Sequence, residues 1–230
     1  KQFYFIMPNM ERLIVLDTET TGILPAEGHR IIEIGAVQIV NREITSTEFH
    51  KYIQPNRTVG DSVNIHGITD KFLINKPQFN QISDDLLTFI KGATLIIHNA
   101  PFDLGFLDNE LKINGINQKI EDLCQIIDTL KLSKEQRPGT MHNLDALCRR
   151  FGVDTSARTR HGALLDAQIL AQVYLAMTGG QSILFQENAE NESLMSDPEL
   201  IKNNTFNKDN IKVVYANEKE IDLHNNYFNK

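Results

Sequence analysis

Four aliphatic residues in a row, Leu13-Ile14-Val15-Leu16, give way to the polar run Asp17-Thr18-Glu19-Thr20-Thr21-Gly22. An apolar run of this kind reads as a strand buried on both faces, expected here over Leu13–Asp17. Further strands are expected at Ile31–Val40 and Ile44–Ile53, separated by Asn41-Arg42 as in a hairpin. From Pro77 to Ile90, Phe79, Ile82, Leu86 and either Phe89 or Ile90 recur at helical spacing, and a strand-like Thr94–His98 follows. Pro101 opens a helix to about Lys112, since proline is tolerated in a first turn, and Leu123–Ile127 is strand-like. Asn143–Phe151 and Gly162–Met177 read as helices, the second stopping at Gly179-Gly180. This interleaving predicts an α/β fold, a mixed central sheet covered by helices.

Composition adds limits. A chain of 230 residues, 41% hydrophobic and 23% charged, holds one sizeable domain with a small appendage. No run approaches the roughly 18 apolar residues that span a membrane, and residues 1–10 are taken as an N-terminal extension, with Met7 and Met10 as candidate starts. Cys124 and Cys148 lie in apolar surroundings without a Cys-x-x-Cys pair, as buried free thiols of a reducing compartment do. The net charge of −7 argues against a free-standing duplex binder, though not against an enzyme that grips one strand end. Beyond Gly180 the character changes: residues 181–230 carry nine Asp/Glu against five Lys and are rich in Asn. The expected organisation is a domain over 11–180, a short peptide at 181–186, a flexible linker over 187–210 and a final segment at 211–230.

The chemistry gathers in three places. Asp17 and Glu19, two apart at a strand end, point the same way; they are either turn formers or a cation site. In His98-Asn-Ala-Pro-Phe-Asp103, Asp103 falls in the first turn of a helix, where it either answers free amides or adds a third carboxylate to the same sheet edge. In His161-Gly-Ala-Leu-Leu-Asp166-Ala, Asp166 shares its helix side with Ile169, Leu170 and Val173, so it needs a salt bridge or a cation. His161 sits beside it and carries an imidazole, the side chain most often used as a general base. Hard oxygen donors without thiolates suit Mg²⁺ or Mn²⁺, and several carboxylates can hold two ions about 3.5–4 Å apart for in-line attack on a phosphodiester.

The segments Leu16-Asp-Thr-Glu-Thr-Thr-Gly22, His98–Asp103 and His161–Ala167 resemble, in order, the three motifs of the DEDDh family of 3′→5′ exonucleases. Ile31-Ile-Glu-Ile-Gly-Ala36, Val63-Asn-Ile-His-Gly67 and Asn143–Cys148 point more narrowly to the proofreading epsilon subunits of bacterial DNA polymerase III. The resemblance covers most of residues 12–180. It implies a ribonuclease H-like fold with a five-stranded sheet and a flexible C-terminal tail. It further implies that Asp17, Glu19 and Asp166 hold one divalent ion, Asp17 and Asp103 a second, and that His161 deprotonates the attacking water. Thr18, Glu19 and Asn99 would seat the terminal nucleotide with Phe102 packed beside it, His66 would contact the substrate, and Asp61 stands where the family has an acid. Pro101 replaces a commoner Ala.

Gln181-Ser-Ile-Leu184-Phe185 resembles the peptides that dock bacterial sliding clamps, and 211–224 resembles the epsilon segment that binds the polymerase catalytic (alpha) subunit. The implied function is removal of misincorporated nucleotides from a DNA 3′ end as 5′-mononucleotides, in the replisome of the bacterial cytoplasm. Two rivals are an RNA-trimming DEDDh exonuclease, which residues 181–230 count against, and a scaffold without catalysis, which the five intact motif residues count against.

Overall fold

A computed structural model of the chain describes residues 12–156, 158 and 160–194, with side chains as far as 179. The chain divides into two units, Lys1–Gly180 and Gln181–Lys230, and the first carries the elements below except for residues 181–194 of the last helix. Its strands are β1 (Leu13–Thr20), β2 (Ile31–Val40), β3 (Glu43–Tyr52), β4 (Thr94–Ile97) and β5 (Gln125–Asp128). Its helices are α1 (Val63–His66), α2 (Asp70–Leu73), α3 (Phe79–Ile90), α4 (Ala100–Ile113), α5 (Thr129–Gln136), α6 (Leu144–Phe151) and α7 (Ala163–Leu194). The strands form one sheet in the order β3-β2-β1-β4-β5. β1 to β3 run antiparallel, while β4 and β5 lie parallel to β1.

The two faces follow from the alternation of strand side chains. Ile14 and Leu16 of β1 join Ile34 and Ala36 of β2 against Ile82, Leu86, Phe106 and Leu107 of α3 and α4. Leu13, Val15, Val37 and Ile39 face the other way, towards Leu170, Ala171 and Tyr174 of α7. Behind α7, α6 packs Leu147 and Cys148 on Ile169, Val173 and Met177. Cys124 and Cys148 are both buried and free. Among the described residues no helix is long and apolar enough to cross a membrane.

Several boundaries differ from expectation. β1 continues to Thr20 rather than stopping at Asp17, because its ladder with β2 pairs Asp17 with Gly35 and Glu19 with Glu33 before a bulge at Glu19/Thr20. The two carboxylates therefore stand in a strand and are not turn formers. α4 begins at Ala100, one residue before Pro101, which moves Asp103 from the third helical position to the fourth. β5 starts at Gln125, since Leu123 and Cys124 still close the preceding 3₁₀ turn on Ile120. α7 does not stop at Gly179-Gly180 but runs to Leu194. A glycine inside a helix costs only about 1 kcal/mol, and the left-handed cap that ends a helix is not formed there. Positions 187–194 of the expected linker are thus helical, and the side chains of Gln181, Leu184 and Phe185, like residues 195–230, lie outside what is described.

Candidate active site

Gly35 is the pivot that brings α7 to the sheet. It pairs with Asp17 across the ladder, and a Cβ at this position would collide with the backbone of Ala163 and Leu164. The first turn of α7 thus rests directly on β2, carrying Asp166 to the β1 face from which Asp17 and Glu19 project. On the opposite face of β1 the Thr18 hydroxyl donates to Asp103 Oδ1 at 2.7 Å, which ties the start of α4 to the same strand. Asp103 and Asp166 are each 3% exposed.

Electrostatics records the crowding. Asp17 is held well above the ordinary carboxylate range, chiefly by loss of water and then by the charges of Asp103, Glu19 and Asp166. Burial, then Asp166 and Glu33, pushes Glu19 up to about 8. Burial pushes Asp103 to about 7 against the Thr18 hydrogen bond, which lowers it. Such a cluster is stable in ionised form only beside positive charge.

One positive charge comes from Arg158. Its Nη2 donates to Asp166 Oδ2 at 2.8 Å, its Nε lies 2.5 Å from Asp166 Oδ1, and its Nη1 pairs with Asp145. The salt bridge left open for Asp166 is therefore present. The cation alternative has support too: Glu19, Asp166 and His161 each present a ligand atom, all three within 4.8 Å of one another. His161 is half exposed, with Nδ1 3.0 Å from Asp166 Oδ2 and 2.8 Å from Arg158 Nη2.

The remaining candidates are more scattered. Asn99 is exposed in a left-handed conformation, its N–H donating to Asp128 Oδ1 at 3.1 Å. Phe102 is half-buried against Phe106, ring centroids 5.0 Å apart. His66 is buried, and its Nδ1 accepts from the Ile68 N–H, so the proton resides on Nε2, which faces the Thr20 backbone without a well-formed hydrogen bond. Asp61 is exposed on a 3₁₀ turn and is not drawn into the acidic cluster.

Two groups escaped the reading of the sequence. Glu33 is 2% exposed and opposes Glu19 in the ladder; His50 Nε2 sits 2.8 Å from its Oε1, and the Tyr52 hydroxyl donates to it. An acid within the apolar run Ile31-Ile-Glu-Ile was the available signal. Arg158 gave no such signal, because nothing in its polar surroundings marks it as facing inward.

Comparison with known proteins gives the family and the fold. The family model described as Exonuclease matches residues 14–174. DNA polymerase III subunit epsilon of Pasteurella multocida is 48% identical over 221 residues, covering 94% of this chain and 87% of that protein. The protein of the same name from Escherichia coli is 46% identical over 220 residues, covering 93% and 90%. Among solved structures, the nuclease domain of 3′hExo, a DEDDh family member bound to rAMP, superposes with a TM-score of 0.64 over 75% of this chain and 94% of that one, at 19% identity, and so supports the fold. The chain belongs to the DEDDh exonuclease family, among the epsilon subunits of DNA polymerase III, and is a 3′→5′ exonuclease.

Proposed function

We propose that this exonuclease proofreads, removing misincorporated nucleotides from the 3′ end of a DNA primer as 5′-mononucleotides. The observation that carries the reading is the meeting of Asp17, Glu19, Asp103, Asp166 and His161 around one strand, β1. The family depends on divalent metal, and these residues fit it: carboxylate oxygens and one imidazole converge, and their mutual repulsion leaves them short of positive charge. We assign Asp17, Glu19 and Asp166 to one Mg²⁺ or Mn²⁺ ion, and Asp17 with Asp103 to a second. Bound there, the ions supply electrostatic stabilisation of the charge that builds on the phosphate oxygens.

The chain's own groups do the rest. With Nδ1 turned to Asp166, His161 keeps Nε2 for the proton of the attacking water, and Asp166 holds the ring in that orientation and stabilises its charged form. Thr18 holds Asp103, and Glu19, Asn99 and Phe102 bound the place of the terminal nucleotide. The Nε2–H of His66 is a donor for that substrate, and Asp61 belongs to the rim.

The relatives named above are subunits of DNA polymerase III, matched over more than nine-tenths of this chain, and this supports a place in a bacterial cytoplasmic replisome. In this reading Gln181, Leu184 and Phe185 dock on the sliding clamp, and residues 211–230 bind the polymerase catalytic subunit. The test of the chemistry is release of mononucleotides by the full chain with Mg²⁺ from matched DNA and RNA 3′ ends. Asp17→Ala and Asp166→Ala are expected to lower the rate on the order of 10³-fold or more while the chain remains folded by circular dichroism. Near-normal turnover in either variant, or a preference for RNA, overturns the reading. For the tail, Leu184→Ala with Phe185→Ala is expected to abolish co-purification with the clamp but not with the polymerase.

A further inference from the structure

Beside the acidic cluster lies a feature of opposite charge. A cleft of about 410 Å³ opens between the end of α6 and the segment leading into α7, lined by Arg149, Thr155, Arg158, Arg160, His161 and Asp145. Arg158 is neutralised, since it pairs with both Asp145 and Asp166. Arg149 and Arg160 are not. Both are exposed, and among the described residues neither makes an ion pair or hydrogen bond. The cleft therefore holds two unopposed guanidinium groups in a chain of net charge −7.

Their placement is specific. Arg149 projects from the last turn of α6, where a cation also complements the helix dipole. Arg160 lies across Gly67, whose φ of +77° and missing Cβ leave room for the guanidinium; a Cβ there would strike its Nη1. Arg149 and Arg160 share the cleft with His161, and Gly67, against which Arg160 lies, directly follows His66. The guanidinium fork matches phosphate oxygens in bidentate fashion, and it keeps its charge at every working pH.

We propose that Arg149 and Arg160 form a phosphate-binding site for the backbone of the strand under digestion, upstream of the terminal nucleotide. This rests on the exonuclease reading above. The terminal nucleotide is held at the acidic cluster, so the polyanion behind it must cross a negatively charged surface. Two free arginines at the rim, next to His161, offer that strand a local counter-charge without adding positive charge to the cluster itself. Such contacts hold without reading sequence, as removal of any mispaired base requires.

The test uses the full chain carrying Asp17→Asn, so that single-stranded dT₁₂ binds without being consumed. Arg149→Gln with Arg160→Gln should flatten the dependence of log K on log salt by about 1.4, so that between 50 and 200 mM salt the parent loses about sevenfold more affinity than the variant. Arg149→Lys with Arg160→Lys should restore the slope, because a retained charge still displaces counterions. An unchanged slope in the glutamine variant overturns the proposal. So does a variant that binds dT₁₂ as the parent does but whose hydrolysis, with Asp17 restored, is no longer inhibited by dTMP, since the cleft would then be a product site. With Asp17 restored, hydrolysis of the p-nitrophenyl ester of dTMP, which has no upstream phosphodiester for the arginines to hold, keeps the two readings apart. Its absence from the unsubstituted chain would overturn the exonuclease chemistry, whereas a slope change tests the arginines alone.

Discussion

The Asp166 carboxylate draws its positive charge from Arg158, and the two side chains are 5% and 8% exposed. Removing one member of a pair so far withdrawn from water strands the other, at about 3–5 kcal/mol. Arg158→Gln is therefore expected to lower the stability of the metal-free protein by about 3 kcal/mol, a fall in Tm of roughly 6–12 °C for a domain of this size. The same Asp166 oxygens are those assigned to a divalent ion, so the guanidinium and the ion compete for them. Mn²⁺ should then raise the Tm of the Arg158→Gln protein by more than it raises that of the parent. Melts of both proteins in EDTA and in Mn²⁺ check this, and equal gains would show that Arg158 does not compete. Glu33 illustrates a different solution to a buried acid: His50 and Tyr52 satisfy it from the neighbouring strand, within protein, and it needs no ion.

Elements meet here through residues that have little or no side chain. Gly35 lets the backbone of α7 approach β2, and no side chain can stand between them. Gly35→Ala should cost about 1–3 kcal/mol by overpacking, and exonuclease activity should fall with it, because a displaced α7 carries Asp166 and His161 away from Asp17. Calorimetry and turnover on a 3′-labelled oligonucleotide test both parts; a stable, fully active Gly35→Ala protein would refute this account of how the site is assembled. Much of this architecture could be read along the chain. The apolar runs at Leu13–Leu16 and Leu95–Ile97, and the 3.6-residue spacing of Phe79, Ile82, Leu86 and Ile90, mark strands and a helix because burial selects side chains position by position. Motif order singled out Asp17, Asp103 and Asp166, and the fold brings their charges together around β1. What pairing decides was hidden. The extension of β1 past Asp17 depends on its partner in β2, and passage of α7 through Gly179-Gly180 depends on no cap forming there. Arg158 became legible only in three dimensions, since its meaning lies in a contact with Asp166 eight residues away.

For the molecule as a whole, the acidic cluster ties stability to pH with a sign that divalent metal reverses. The Glu19 carboxyl has an ordinary value of 4.5 and is pushed up to about 8 in the folded chain, and Asp103 is raised from 3.8 to about 7. Between those limits the folded chain keeps protons that the unfolded chain has already released. Stability from these groups is thus fully present below their ordinary values and is lost as pH rises through 7 and 8. Divalent ions work in the opposite sense. They bind the ionised carboxylates of the folded chain, must displace any protons held there, and so stabilise more as pH rises. The expected result is that the Tm of the full chain in EDTA falls between about pH 5 and about pH 8, and falls less steeply in Glu19→Gln, which has no such proton to lose. In Mg²⁺ the gain in Tm over EDTA should widen across the same interval for the parent and remain narrow for Glu19→Gln. A metal-free Tm whose pH slope is the same in both proteins would mean that Glu19 ionises at its ordinary value, and that the cluster does not carry the repulsion on which the metal assignment depends.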